Sequence, residues 1–183
     1  ISFLVGGSYL HGTAYNHGFP VQHFDPGVSR NPAYTAYGYL QIKDRFVLKG
    51  SFAKTLDVWE GTYNPNPPLN IYPASKVSSL DIGSKFDINP KGKVRYTVSG
   101  EFSNFIAGPD GAPWERQNQI VLGFSGMIKN SSKFFLELFR TDGYVPLNFI
   151  SGSAPNAPFP VGVTHSSSSA FSHGVVLGAL ISL

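Results

Sequence analysis

The chain has 183 residues, enough for one domain with a sizeable core and too few for two ordinary domains. It contains no cysteine, which excludes a disulfide framework, a thiolate metal site and a cysteine nucleophile, and no run approaches the roughly 18 consecutive apolar residues of a membrane helix. A net charge of +3 comes without a basic run or an aromatic-basic cluster, so no nucleic-acid partner is expected, and a charged fraction of 14% against about 25% in soluble domains points to a surface covered by something other than water.

Apolar residues recur with period two, the spacing that sends successive side chains to opposite faces of an extended strand. Eight strands are predicted: 2–15, 34–43, 45–58, 77–88, 93–105, 117–128, 133–144 and 170–183. Each reaches the ~9 to 11 residues that a tilted membrane strand needs. The third places Phe46, Leu48, Gly50, Phe52, Leu56 and Val58 opposite Lys49, Ser51, Thr55 and Asp57. The fourth sets Leu80, Ile82, Phe86 and Ile88 against Asp81, Lys85 and Asp87, and the fifth sets Val94, Tyr96, Val98 and Phe102 against Arg95, Thr97, Ser99 and Glu101. The sixth opposes Ile120, Leu122, Phe124 and Ile128 to Gln119, Gly123 and Ser125. In the seventh, Phe135 and Phe139 share the charged side with Glu137. The last opposes Phe171, Val175, Leu177, Ala179, Ile181 and Leu183 to Ser172, Gly174, Gly178 and Ser182.

Connections alternate in length. Short links at 43–45, 89–92 and 129–132 carry tight-turn residues, whereas 16–33, 59–76, 106–116 and 145–169 are long, proline-bearing and read as surface excursions at the opposite end. An even strand number with short turns at one end and long loops at the other is the pattern of an antiparallel up-and-down transmembrane β-barrel, whose backbone must find all its partners internally.

Aromatic residues set the direction of the alternation. Phe46, Phe86, Tyr96 and Phe134 fall beside short turns on the apolar face, and Tyr15, Tyr34 and Phe171 fall beside long loops, which reads as two interfacial girdles. The apolar face is therefore expected to meet lipid. Lys49, Asp57, Asp81, Lys85, Asp87, Arg95, Glu101 and Glu137 are expected to face the lumen, lining water in a wide barrel or pairing across the interior of an eight-stranded one. Lys54 and Arg140 fall on the lipid side, tolerable near a rim.

On these features the chain resembles outer-membrane β-barrel proteins of Gram-negative bacteria, of the porin and small-barrel type, over nearly its whole length and by pattern rather than by a diagnostic motif. The family's usual terminal aromatic is replaced here by Leu183. The resemblance implies a single domain over 1–183, location in the bacterial outer membrane, contact with its lipids, a homo-oligomer, and a porin-like passive channel for ions or small solutes. With Ile1 already inside a strand pattern, these eight strands are expected to belong to a larger barrel. The alternatives are a complete, plugged eight-stranded barrel serving adhesion, envelope stabilisation or surface protection through its loops, and a soluble lipocalin-like barrel with the alternation turned inside out.

No enzymatic activity, metal or cofactor is expected. Ser166 to Ser169 with His165 or His173 lack a nucleophile turn and a paired acid, and His17 and His23 in the first long loop, with His165 in the last, lack a carboxylate or further ligand at helpful spacing. His11 and His173 each lie about a strand's length from a terminus and are expected at similar height if the first and last strands pair.

Overall fold

The computed structural model describes residues 1–15, 30–64, 67–128, 131–143 and 168–181. Among them the chain is all-β: β1 (Ser2–Leu10), β2 (Ala33–Ile42), β3 (Phe46–Thr55), β4 (Ser78–Asp87), β5 (Val94–Ile106), β6 (Arg116–Ile128), β7 (Ser132–Gly143) and β8 (Phe171–Ile181). They form one sheet in sequence order, every neighbour antiparallel, with only two single 3-10 turns at Glu60–Thr62 and Leu69–Ile71. The tight turns sit where expected. Lys43 takes the left-handed region at φ 53, the Gly92 amide donates to the Asn89 carbonyl at 3.3 Å, and the Ser131 amide donates to that of Ile128 at 3.0 Å.

The register converts period two into two continuous faces. On one face, Phe46, Phe86, Val98, Phe124, Leu136 and Leu177 are successive cross-strand partners from β3 to β8, and the next row up contains Leu48, Leu122, Leu138 and Val175. On the other face, Ser51, Asp81, Ser103, Gln119, Thr141 and Ser172 form one row, and Lys49, Gly83, Glu101, Val121, Phe139 and Gly174 form the row below it. Branched and aromatic side chains suit such a pleated surface, and cross-strand pairs of them are what stabilises it. Yet the apolar face is uncovered: Leu122 is 57% exposed and Leu177 76%.

Three expectations are corrected. The sheet does not close: among the described residues β1 pairs only with β2 and β8 only with β7, so both outer edges keep unpaired backbone groups. His11 and His173 are consequently not brought together; His11 contacts the Arg30 guanidinium, and His173 stacks on Phe171 at 6.3 Å. Second, β1 ends at Leu10 and β3 at Thr55, short of the 15 and 58 expected. Thr55 is clamped to Val77, its amide donating to the carbonyl at 2.9 Å and its hydroxyl accepting the Val77 amide at 3.0 Å. The next amide, Leu56, turns to the carbonyl of Pro32, a residue with no N–H to return, and the ladder stops.

Third, the long connections are not bare excursions. Segments 56–64, 67–77 and 107–115 fold into a cap in which Trp59, Thr62, Ala107, Ala112 and Trp114 are buried. Leu69, Ala107, Ala112 and Trp114 form its core, with Tyr72 and Phe105 packed on it. The Trp114 indole N–H donates to the Thr62 carbonyl at 3.0 Å, so the largest buried side chain carries no unmet donor there. The cap rests on the end of the polar face: Ala33 and Thr55, both buried, and half-buried Phe105 are the sheet residues beneath it.

Candidate functional site

The polar face is the candidate site, because it gathers chemically active groups from every central strand. Lys49, Asp81, Lys85, Asp87, Arg95, Glu101 and Glu137 all stand on it, as their registers require. Asp57 does not. It lies beyond the end of β3, where its amide donates to Asn31 Oδ1 at 3.2 Å, so it belongs to the loop end rather than to the row of strand-borne charges.

One ion pair crosses a whole strand. Lys49 Nζ lies 2.9 Å from Glu101 Oε2 although β4 runs between them. The intervening residue is Gly83, and a Cβ placed there would sit 2.8 Å from Lys49 Cε and 3.2 Å from Glu101 Oε2. Glycine is therefore what lets two charges two strands apart meet. With side chains 64% and 42% exposed, the pair contributes about 0.2–1 kcal/mol. A double-mutant cycle with Lys49→Met and Glu101→Gln is expected to return a coupling of that size from denaturant unfolding, and to return none in a Gly83→Val background. Undiminished coupling over valine would show that the glycine is not the cause.

Two further carboxylates are held by hydroxyls of β5: Ser103 Oγ donates to Asp81 Oδ1 at 2.6 Å, and Thr97 donates to Asp87. Arg95 donates to the Met127 sulfur at 2.9 Å, and Gln119 Nε2 to Thr141 Oγ1 at 3.0 Å. Phe139 and Phe135 share this face because each ring lies across a glycine of β8. The added Cβ would stand 2.5 Å from the Phe139 ring at Gly174 and 2.2 Å from the Phe135 ring at Gly178. A phase slip by one residue, which would turn both rings outward, would also take them off these two glycines.

Charge is graded along the face. Arg95, Lys133, Asp87, Lys85, Glu137, Lys49 and Glu101 occupy the rows toward the short turns, whereas the row through Ser51, Ser103, Gln119, Thr141 and Ser172 beneath the cap is neutral apart from Asp81.

Comparisons with protein-family models, with curated proteins and with solved structures return no match.

The apolar face carries six of the seven rim aromatics read from the sequence. Phe46 and Phe86 are direct cross-strand partners, Tyr96 stacks on Phe124 at 5.9 Å, and Phe134 is exposed at the same end. Tyr34, packed on Phe52 at 5.8 Å, and Phe171 lie at the long-loop end. Arg140 is also on this face near that end, chelated by Asp142 at 2.8 Å and set over the Phe171 ring at 5.1 Å, so its charge has partners where its row meets the rim. Lys54 lies opposite Tyr34 in the last row of β3.

Tyr15 is the exception. Past the end of β1, it packs against Trp59 with ring centroids 5.0 Å apart and its carbonyl accepts from Asn31 Nδ2 at 2.8 Å, which ties it to the cap. Burial pushes its phenol above the ordinary 10.0. The neutral form is thus favoured in the folded cap, so its contribution is complete below pH 10.0 and lost as pH rises through the higher folded value. Intrinsic tryptophan fluorescence is expected to stay flat across neutral pH and to change in the alkaline range, and Tyr15→Phe is expected to abolish that change. A change that persists in Tyr15→Phe would assign it to another group.

The cap was the part the sequence reading missed. Its available signal was that both tryptophans, Trp59 and Trp114, lie in segments taken for surface loops, although indole is costly to leave in water. His17, His23, His165, Ser166, Ser167 and Leu183 lie outside the described residues.

Proposed function

We propose that the chain forms the wall of a porin-like passive channel in the bacterial outer membrane, admitting ions or small solutes along its polar face, with the apolar face against acyl chains. The reading is supported by one observation above all: the uncovered face is the greasy one, its charged residues Lys54, Arg116, Arg140 and Asp142 gather at the long-loop end, and the other charges of the strands stand on the opposite face. In water, a continuous exposed apolar surface of this kind is a liability, whereas a bilayer is the solvent that accepts it. The girdle aromatics at both ends and the partnered Arg140 near a rim are what such a surface needs where hydrocarbon gives way to headgroups.

The open edges can be met in a wide barrel or in a small one. A strand edge in hydrocarbon is not tolerated, so β1 and β8 take their outer partners from each other or from further strands. Closure of eight strands alone leaves an interior only wide enough for side chains. That second reading, a plugged barrel acting at the cell surface through its loops, draws on the packed cap and the Lys49–Glu101 pair. Conductance across a planar bilayer separates the two. Stable open steps from the reconstituted chain, with ion selectivity altered by Lys85→Glu, are expected for the channel. Silence after folding has been verified by β-sheet circular dichroism contradicts it.

A further inference from the structure

The neutral row beneath the cap is more than a stretch of channel wall. Asp81, Ser103, Phe105, Gln117, Gln119 and Thr141 line one cleft of about 360 Å³, within the range of about 300–1,000 Å³ of small-molecule sites. All six side chains are half-buried. They come from four adjacent strands, and two hydrogen bonds fix them: Ser103 holds Asp81 Oδ1 at 2.6 Å, and Thr141 holds Gln119 Nε2 at 3.0 Å. These bonds leave Asp81 Oδ2, Gln119 Oε1 and the whole Gln117 amide without a side-chain partner among the described residues. In an open cleft water satisfies half-buried polar atoms of this kind, and the hydroxyls of a solute can take its place.

We infer that this cleft binds a neutral, polyhydroxylated solute, of the chemical class of a saccharide. Three features select that class. Hydroxyl, amide and carboxylate groups alternate donor and acceptor capacity along the row, which matches sugar hydroxyls, each of which both donates and accepts. Among the described residues no cationic side chain lines the cleft, so an anion finds no counter-charge there, and Asp81 is its one carboxylate, a low ligand charge for a divalent cation. Phe105 supplies an apolar plate, braced from behind by its packing on the cap core, for the C–H face of a pyranose ring. The charged rows begin only below, at Lys49 and Glu101, so this row and the one above it, through Ala53, Ser79, Phe105 and Gln117, are the least charged rows of the polar face.

The inference rests on the polar face being reached by solvent, as the channel reading has it, but it is measured without a pore. Calorimetric titration of the folded chain in detergent micelles with glucose, sucrose and maltotriose is expected to show saturable binding of at least the trisaccharide. Asp81→Asn, Gln119→Leu and Phe105→Ala are each expected to weaken it about tenfold or more, and Ser99→Ala, lower on the same face, to leave it unchanged. Should Phe105→Ala loosen the cap, seen as a red-shifted tryptophan emission, the other two variants carry the test. Absence of saturable heat with all three sugars, equal binding by the variants, or binding of calcium chloride alone would overturn the site. Conductance is read separately: sugar binding by a silent chain keeps the site and removes the channel, and open steps without sugar binding do the reverse.

Discussion

Arginine in place of Leu122 is expected to lower the folding stability of the bilayer-reconstituted chain by about 2–4 kcal/mol, the cost of a cation on the lipid face near the midplane. Leu122 stands in the middle of β6, on the apolar row that also holds Leu48, Leu138 and Val175, and is 57% exposed. That exposure makes the prediction discriminating. A leucine so open to water tolerates arginine within about 0.5 kcal/mol in a soluble protein, because neither burial nor a hydrogen bond is lost. The neighbouring substitution Val121→Arg turns to the polar face, in the row of Lys49 and Glu101, and is expected to be nearly neutral in the bilayer. Urea titrations of both variants in lipid vesicles give the comparison. Equal effects at 121 and 122 would remove the distinction between the faces.

Truncation of Trp114 to alanine is expected to cost the cap about 3–5 kcal/mol, the range for removing a fully buried large aromatic. Trp114 is 0% exposed, meets Tyr72 edge-on at 5.7 Å and donates to Thr62, so the change empties the cap core and orphans an acceptor together. The sheet is held by its own ladders and does not depend on this residue. The expected outcome is therefore a split: amides of 56–64, 67–77 and 107–115 lose exchange protection while those of β5 and β6 keep theirs. Uniform loss across the sheet would mean that cap and sheet fold as one unit. An unchanged cap would mean that the Trp114 contacts contribute little.

The contrast between sheet and cap shows what could be read directly from residues. Alternation is a local property, and a one-residue slip reverses every side chain, so β3 to β8 and the face shared by Lys49, Asp81, Lys85, Asp87, Arg95, Glu101 and Glu137 followed from period two alone. Even the awkward residues, Phe135, Phe139, Lys54 and Arg140, fall on the faces that this periodicity assigned. Their reasons are not local. Phe139 on the polar face makes sense only once Gly174 of β8 is seen beneath it, and Lys49 meets Glu101 across the space that Gly83 leaves open.

Strand ends, the cap and closure depend on contacts distant in sequence. Thr55 stops β3 by bonding to Val77, and Tyr15 leaves the outer face for Trp59, 44 positions further along the chain. Nothing in either residue's immediate neighbours announces that partner. Closure is the extreme case: pairing β1 with β8 is a property of both edges, and no periodicity within one strand specifies it.

The orientation of the two faces is the claim on which channel, girdles and solute site all rest. Because the chain has no cysteine, single cysteines can be introduced one at a time from position 119 to 124 of β6 and spin-labelled in lipid vesicles. Accessibility to oxygen, which concentrates in the bilayer, is predicted to peak at 120, 122 and 124, and accessibility to a water-soluble nickel chelate at 119, 121 and 123. The same alternation with the two reagents exchanged, or no alternation at all, would contradict the account.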